Sequence, residues 1–269
     1  MDDFKISKIT PHKKSSRVMF FFFIAAIIFV AAAFYYINSK TPIVLNYNDQ
    51  LGMSATTTGN GRLSSQNQAL IATSTPAEPS VLNLPIPFTS QAPTANWDLA
   101  HNEDCEEASA LMANTYLTGN TNVVLAASQV ETEMNNLNNW EDSHLGYHLD
   151  TTAAETAQMI QGFYGLQTKV FTDYTLQDIK NQLNQNHVVI LPVNGQIIGN
   201  PNYTQPGPIY HMLVVRGYTA NGLVTNDSGT RRGQNYPYTF ETLHNAGADW
   251  DHNTNTIDQT KKVMIVVWK

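Results

Sequence analysis

The sequence predicts an α+β domain, with N-terminal helices packed on a mainly antiparallel sheet, preceded by one transmembrane helix. Three observations predict it. A long apolar run lies near the N-terminus, helix-like segments dominate the first half of the remainder, and apolar strands joined by short turns dominate the second half.

The apolar run extends from Val18 to Ile37 without a charge. At 1.5 Å per residue such a helix is about 30 Å long, enough to cross a bilayer core. Lys5, Lys8, Lys13, Lys14 and Arg17 precede it and only Lys40 follows closely. The positive-inside rule therefore places residues 1–17 in the cytoplasm and exports the rest, giving a single-pass cell-membrane protein with an extracytoplasmic domain. A cleaved signal peptide ending at Ala31, Ala32 and Ala33 is the competing expectation; continuation of the run through Phe34, Tyr35 and Tyr36 into interfacial aromatics favours an anchor. Residues 38–80 are rich in Ser, Thr, Asn, Gly, Ala and Pro. That composition cannot bury a core and reads as a flexible linker spanning about 35 Å.

Residues 81–269 are expected to form a single domain. An extended entry at Leu84-Pro85-Ile86-Pro87-Phe88 leads to helices expected at 105–116, 122–137, 152–163 and 175–185. Gly119 stands just past the first, and Thr152 with Glu155 forms a capping-box pattern at the third. Strands rich in Val, Ile and Leu are expected at 166–171, 187–193, 210–218, 222–226 and 263–268, with Asn221-Gly222 as a hairpin turn.

The chain carries 15 Lys and Arg against 22 Asp and Glu, a net charge of −7. Five of the bases and two of the acids precede the apolar run, so the exported part is near −10. This excludes a nucleic-acid surface and electrostatic adhesion to anionic lipid, which need basic clusters; Arg231-Arg232 is too short to be one. His144 and His148 are four apart, but Gly146 between them weakens a shared helix and no third ligand is evident, and Asp249, Asp251 and His252 read as a solvated loop. No metal or cofactor is expected. Trp97, Trp140 and Trp250 are candidates for lining a cleft, with core packing as the plainer alternative.

Cys105 is the one cysteine of the chain, so it has no intramolecular disulfide partner. It is an inert core residue, a cross-linking residue or a reactive thiol. Asp104 followed by Glu107 predicts an N-cap at Asp104 and places Cys105 first in its helix. Backbone N–H groups and the helix dipole favour a thiolate there and can stabilise an oxyanion. Glu103, Asp104, Glu106 and Glu107 act in the opposite sense, so a cationic partner such as a histidine is needed.

Among eight histidines, His211 opens the strand Met212-Leu213-Val214-Val215 after a turn-rich segment. A hairpin turning near 220–222 returns its second strand towards His211 and brings Asp227 or Asn226 beside the ring, where either would accept a hydrogen bond and fix the tautomer. The plainer alternative is an ordinary sheet histidine and an ordinary turn.

Ser90-Gln91-Ala92-Pro93, Trp97-Asp98, Cys105-Glu106-Glu107-Ala108, the segment Tyr210 to Tyr218 and the segment Thr225 to Gly233 together resemble the peptidase C-thirty-nine-like domain. This is a papain-like bacterial family related to the double-glycine leader peptidases of bacteriocin exporters, and the resemblance covers about residues 82–268. It implies a papain-like fold and a cysteine peptidase with Cys105 as nucleophile, His211 as base and acid, Asp227 as orienting group with Asn226 as substitute, and Gln91 as oxyanion donor. Two departures stand out: many members have Cys-Gly-Pro where this chain has Cys105-Glu106-Glu107, and the gap from Gln91 to Cys105 is long. No Walker-type phosphate-binding sequence accompanies the domain.

The expected function is hydrolysis of peptide or isopeptide bonds in a peptide, protein or cell-wall peptide substrate. Acyl transfer to an amine would use the same groups. The alternative is a catalytically inactive papain-like module that binds peptide or cell-wall strands.

Overall fold

The structure, a computed structural model, describes residues 79–121 and 125–269. The expected tail at 1–17, the transmembrane helix at 18–37 and nearly all of the linker at 38–80 lie outside the described residues. Among the described residues no helix is long and apolar enough to cross a membrane.

Four helices come early: α1 (Leu99–Glu103), α2 (Cys105–Leu117), α3 (Ala127–His144) and α4 (Ala153–Tyr164), preceded by the short strand β1 (Leu82–Asn83). Then follow β2 (Gln167–Thr172), α5 (Leu176–Leu183), β3 (Val188–Val193), α6 (Gly195–Ile198), β4 (His211–Thr219), β5 (Gly222–Asn226), β6 (Tyr236–Tyr238), α7 (Phe240–Ala246), β7 (Asp249–Asp251), β8 (Thr256–Asp258) and β9 (Val263–Trp268).

Seven strands form one sheet in the order β2-β9-β3-β4-β5-β6, all pairs antiparallel, with β1 pairing on β4 beyond the start of β3. β7 and β8 form a separate ribbon. Every residue of β3 is buried, as are all but the last of β4 and of β9, which fits the unbroken apolar runs of these central strands. The core lies where α2 and α4 pack against this sheet, with Met112, Met159, Ile160, Ile190, Leu213 and Ile265 fully enclosed.

Local signals explain several boundaries. Thr152 and Glu155 make the reciprocal capping box, and α4 ends at Gly165 in the left-handed conformation. A second capping box, Thr175 with Asp178, opens α5. Two expectations differ. The helix expected at 122–137 runs from Ala127 to His144, because the buried stripe Val130, Met134, Leu137, Asn138 and Glu141 continues past the low-propensity asparagines. Asp104 makes no side-chain cap for α2; it closes α1, and its carboxylate accepts from Asn138 Nδ2 at 3.0 Å. Packing against α3 has claimed the side chain that a local capping box would use.

Candidate active site

Cys105 is the first residue of α2 and is only 4% exposed. Its sulfur accepts a hydrogen bond from the backbone N–H of Met212 at 3.1 Å, across 107 positions of sequence. β5 stops at Asn226 opposite Val214, short of Met212, so this N–H lies past the end of the β4–β5 ladder. The helix start is thus pinned to the strand start that carries His211.

His211 is 1% exposed, and its Nε2 lies 3.0 Å from Asp227 Oδ1. An ionised carboxylate only accepts, so Nε2 carries the hydrogen and Nδ1 is left as the basic nitrogen. The β4–β5 hairpin turns at Ala220 and Asn221, and a register shift between Val215 and Gly217 offsets the far half of the ladder. Asp227 follows the last paired residue and curls beneath the ring.

Asp227 is fully buried and held by more than the histidine. The Tyr203 hydroxyl donates to it at 2.7 Å, the Tyr238 hydroxyl at 2.7 Å, Asn200 Nδ2 at 2.9 Å and the Gly229 N–H at 3.1 Å. Burial alone would push this carboxyl up; the hydrogen bond and charge of His211, with the two tyrosine hydroxyls, outweigh it and hold the group below the usual carboxylate range. Asn200, Tyr203 and Tyr238 were not legible as site residues, because the first two come from the loop before β4 and the third from β6, and no local pattern links them to Asp227.

Asn226 is committed elsewhere. Its Nδ2 donates to the carbonyls of Ile86 and Pro87, and its Oδ1 accepts from Arg216 at 3.2 Å. The structure therefore puts Asp227, not Asn226, against the imidazole.

Gln91 is hydrogen-bonded within the fold. Its Nε2 donates to the carbonyls of His101 and Asn102, both at 3.0 Å, and its Oε1 accepts from Ser228. With both amide hydrogens bound to α1 it offers none to an oxyanion in this arrangement. It ties the helix before Cys105 to the loop after Asp227.

Of the two opposed influences on the thiol, helix start and acidic flank, the acidic flank prevails, joined by burial. Burial pushes the Cys105 thiol well up, and the charge of Glu106 adds to it, against a smaller contribution from the Met212 N–H. The Sγ–H donates to Glu106 Oε2 at 2.8 Å, and among the described residues no hydrogen bond joins the sulfur to the His211 ring. Behind it, Glu106 Oε1 finds no donor, and the Glu107 and Glu141 carboxyls face each other with no donor from any other group. Burial and mutual repulsion raise all three carboxyls, Glu141 to about 8. Packing of α3 on α2 encloses these glutamates.

A cleft of about 990 Å³ opens over His211, lined also by Gln91, Trp97, Tyr203, Gly229 and Trp250. Cys105 is not among its lining residues, and Trp140 packs instead beside His144 and Gly162. Asp249 accepts from the backbone of Ala153 and Trp250, and His252 contacts Glu155. Among the described residues no group of three His, Cys, Asp or Glu side chains is arranged to hold a metal.

The arrangement supplies a thiol at a helix start, a histidine at a strand start with its tautomer fixed, and an open cleft. A crystal structure of a candidate C39-like peptidase from Bacillus anthracis superposes with a TM-score of 0.45 at 13% identity, covering 70% of this chain and 98% of that one. No curated protein matches the chain. The model of the Peptidase C39-like family matches residues 83–257, which span the thiol, the histidine and the buried aspartate. The chain belongs to the Peptidase C39-like family.

Proposed function

We propose that the chain is a membrane-anchored cysteine peptidase whose extracytoplasmic domain hydrolyses peptide or isopeptide bonds. One observation carries this reading: the segment His211-Met212 bonds at once to Asp227 through the ring and to the Cys105 sulfur through the backbone. Cys105 is the nucleophile. As its sulfur attacks the scissile carbonyl, the thiol proton passes to His211 Nδ1; the same proton then goes to the leaving amine, and a water deprotonated by His211 hydrolyses the acyl-thioester. Asp227 keeps the ring oriented and stabilises its charged form. The anchor is the apolar run 18–37, supported by its length and by the basic residues before it.

The test is turnover of a substrate selected from a peptide library by the full-length protein. Cys105→Ala is expected to abolish product with the thermal melt shifted only slightly; undiminished turnover in that variant removes the hydrolase reading.

One observation favours a second reading, a binding module without catalysis: the resting thiol donates to Glu106 and is pushed towards its neutral form. Peptide binding that persists in Cys105→Ala, with no product from the unsubstituted protein, would select it.

A further inference from the structure

Of the large apolar side chains exposed among the described residues, three line the one cleft over His211: Trp97 at 42%, Leu99 at 71% and Ile209 at 54%. Leu149, also exposed, adjoins the lining residue Asp150. Apolar surface gathered at a concave site is stabilised when a ligand covers it, whereas scattered exposure needs no explanation. Trp97 and Leu99 belong to the α1 side, and Ile209 to the segment that enters β4.

The charges of the cleft are not balanced. Arg231 and Arg232 line it, both exposed, and neither has a carboxylate partner among the described residues; Arg232 reaches only the Asn202 amide oxygen at 3.5 Å. The acids of the same cleft, Glu103 and Asp150, face each other. Burial raises both, and the charge and hydrogen bond of Asp150 lift Glu103 further, to about 7, so near neutrality the pair shares a proton instead of neutralising the arginines.

Resting on the reading of this cleft as the substrate site, we infer that its ligand is a peptide segment carrying a bulky apolar side chain for the Trp97, Leu99 and Ile209 surface and a carboxylate for the Arg231-Arg232 pair. Guanidinium groups bind carboxylates through paired hydrogen bonds and discriminate against amides and amines in the same place. The net negative charge of the domain makes the choice meaningful, because an anionic peptide is repelled by the domain as a whole and is attracted locally by this pair.

The experiment uses the full chain in detergent with Cys105→Ala, so that binding is read without turnover. Fluorescent peptides hold one phenylalanine and one glutamate at varied separation, with matched sets in which glutamate becomes lysine or phenylalanine becomes glycine. Each replacement is expected to weaken binding about tenfold. Arg231→Ala with Arg232→Ala is expected to erase the glutamate preference and keep the phenylalanine preference; Leu99→Ser with Ile209→Ser is expected to do the converse. Equal binding of all peptides, no binding of any, or a glutamate preference that survives loss of both arginines would overturn the inference. Failure of the peptidase reading is separately visible: selective binding by this variant with no product from the unsubstituted chain refutes catalysis and leaves the recognition standing. Cleavage of peptides without either preference does the reverse.

Discussion

The Tyr203 hydroxyl lies 2.7 Å from Asp227 Oδ1, the same oxygen that receives His211 Nε2, so one carboxylate oxygen sits between a phenol and an imidazole in a fully buried site. Buried charge is costly unless every lone pair is used. Here Tyr203, Tyr238, Asn200 and the Gly229 N–H use them, and the carboxylate remains ionised opposite the ring it orients.

Asp227→Asn keeps the volume and removes the charge. Turnover is expected to fall about a thousandfold, since the amide carries no charge to stabilise the protonated imidazole and can turn its NH2 towards Nε2, which favours the other tautomer. Steady-state kinetics and the ring 15N shifts of His211 check this; unchanged ring shifts would sink it.

Tyr203→Phe removes one hydrogen bond to a charged acceptor while leaving an aromatic ring beside His211. The variant should lose about 2 kcal/mol of stability by denaturant melt. Because the Asp227 carboxyl then loses a donor, the acid limb of the pH–rate profile should move upward. A loss of stability without that movement would mark the tyrosine as structural only.

Glu106→Gln removes the charge nearest the thiol. Since the Glu106 carboxylate raises the Cys105 thiol alongside burial, iodoacetamide alkylation of the folded protein at pH 8 should accelerate several-fold. It should still stay slower than for free cysteine, because burial is the larger cause. An unchanged rate would show that Glu106 is neutral beside the thiol.

Stability should fall as pH rises from about 5 to 8. Asp104, Glu103 and Glu141 are raised to about 6, about 7 and about 8 in the folded protein, chiefly by burial. The folded state therefore binds more protons than the unfolded chain across this window, and the stability these groups confer is complete below their ordinary values and is lost as pH climbs through the raised ones. Asp227 has the opposite sign, being lowered, and its contribution is lost only in stronger acid. Melts across pH should peak near pH 4 to 5, and Glu141→Gln should flatten the alkaline side of the curve.

Gly233→Ala should damage the site without touching its chemistry. A Cβ at 233 collides with the Asp227 carbonyl oxygen and comes within 3.0 Å of its Cβ. The variant is expected to melt lower and to lose the His211 to Asp227 hydrogen bond, read again from the ring 15N shifts; a native spectrum would refute the close approach.

Much of this fold is legible from short-range pattern. Turn residues and caps such as Asn221, Gly165 and the Thr152–Glu155 box act within a few positions, and the apolar runs of β3, β4 and β9 are long enough to mark central strands. The hairpin arithmetic likewise brings position 227 towards position 211. What pattern does not carry is the use of each polar group once distant elements meet. Asp104 has the spacing of a cap but serves Asn138, and Gln91 is bound to the carbonyls of His101 and Asn102 in α1, ten and eleven positions away.

By itself the sequence determined the longer helices and the central strands, the lone thiol at a helix start and the histidine at a strand start, because helix and strand periodicity and turn chemistry are local properties; the short elements α1, α6, α7, β6, β7 and β8 carry too few residues for such a pattern. Only the tertiary structure decided that Asp227 and not Asn226 meets His211, that Tyr203, Tyr238 and Asn200 enclose that carboxylate, and that Glu106, Glu107 and Glu141 are buried together. The physical reason is that burial and hydrogen-bond assignment depend on which surfaces meet across the fold, and the 107 positions between Cys105 and Met212 put that meeting beyond the reach of any local pattern.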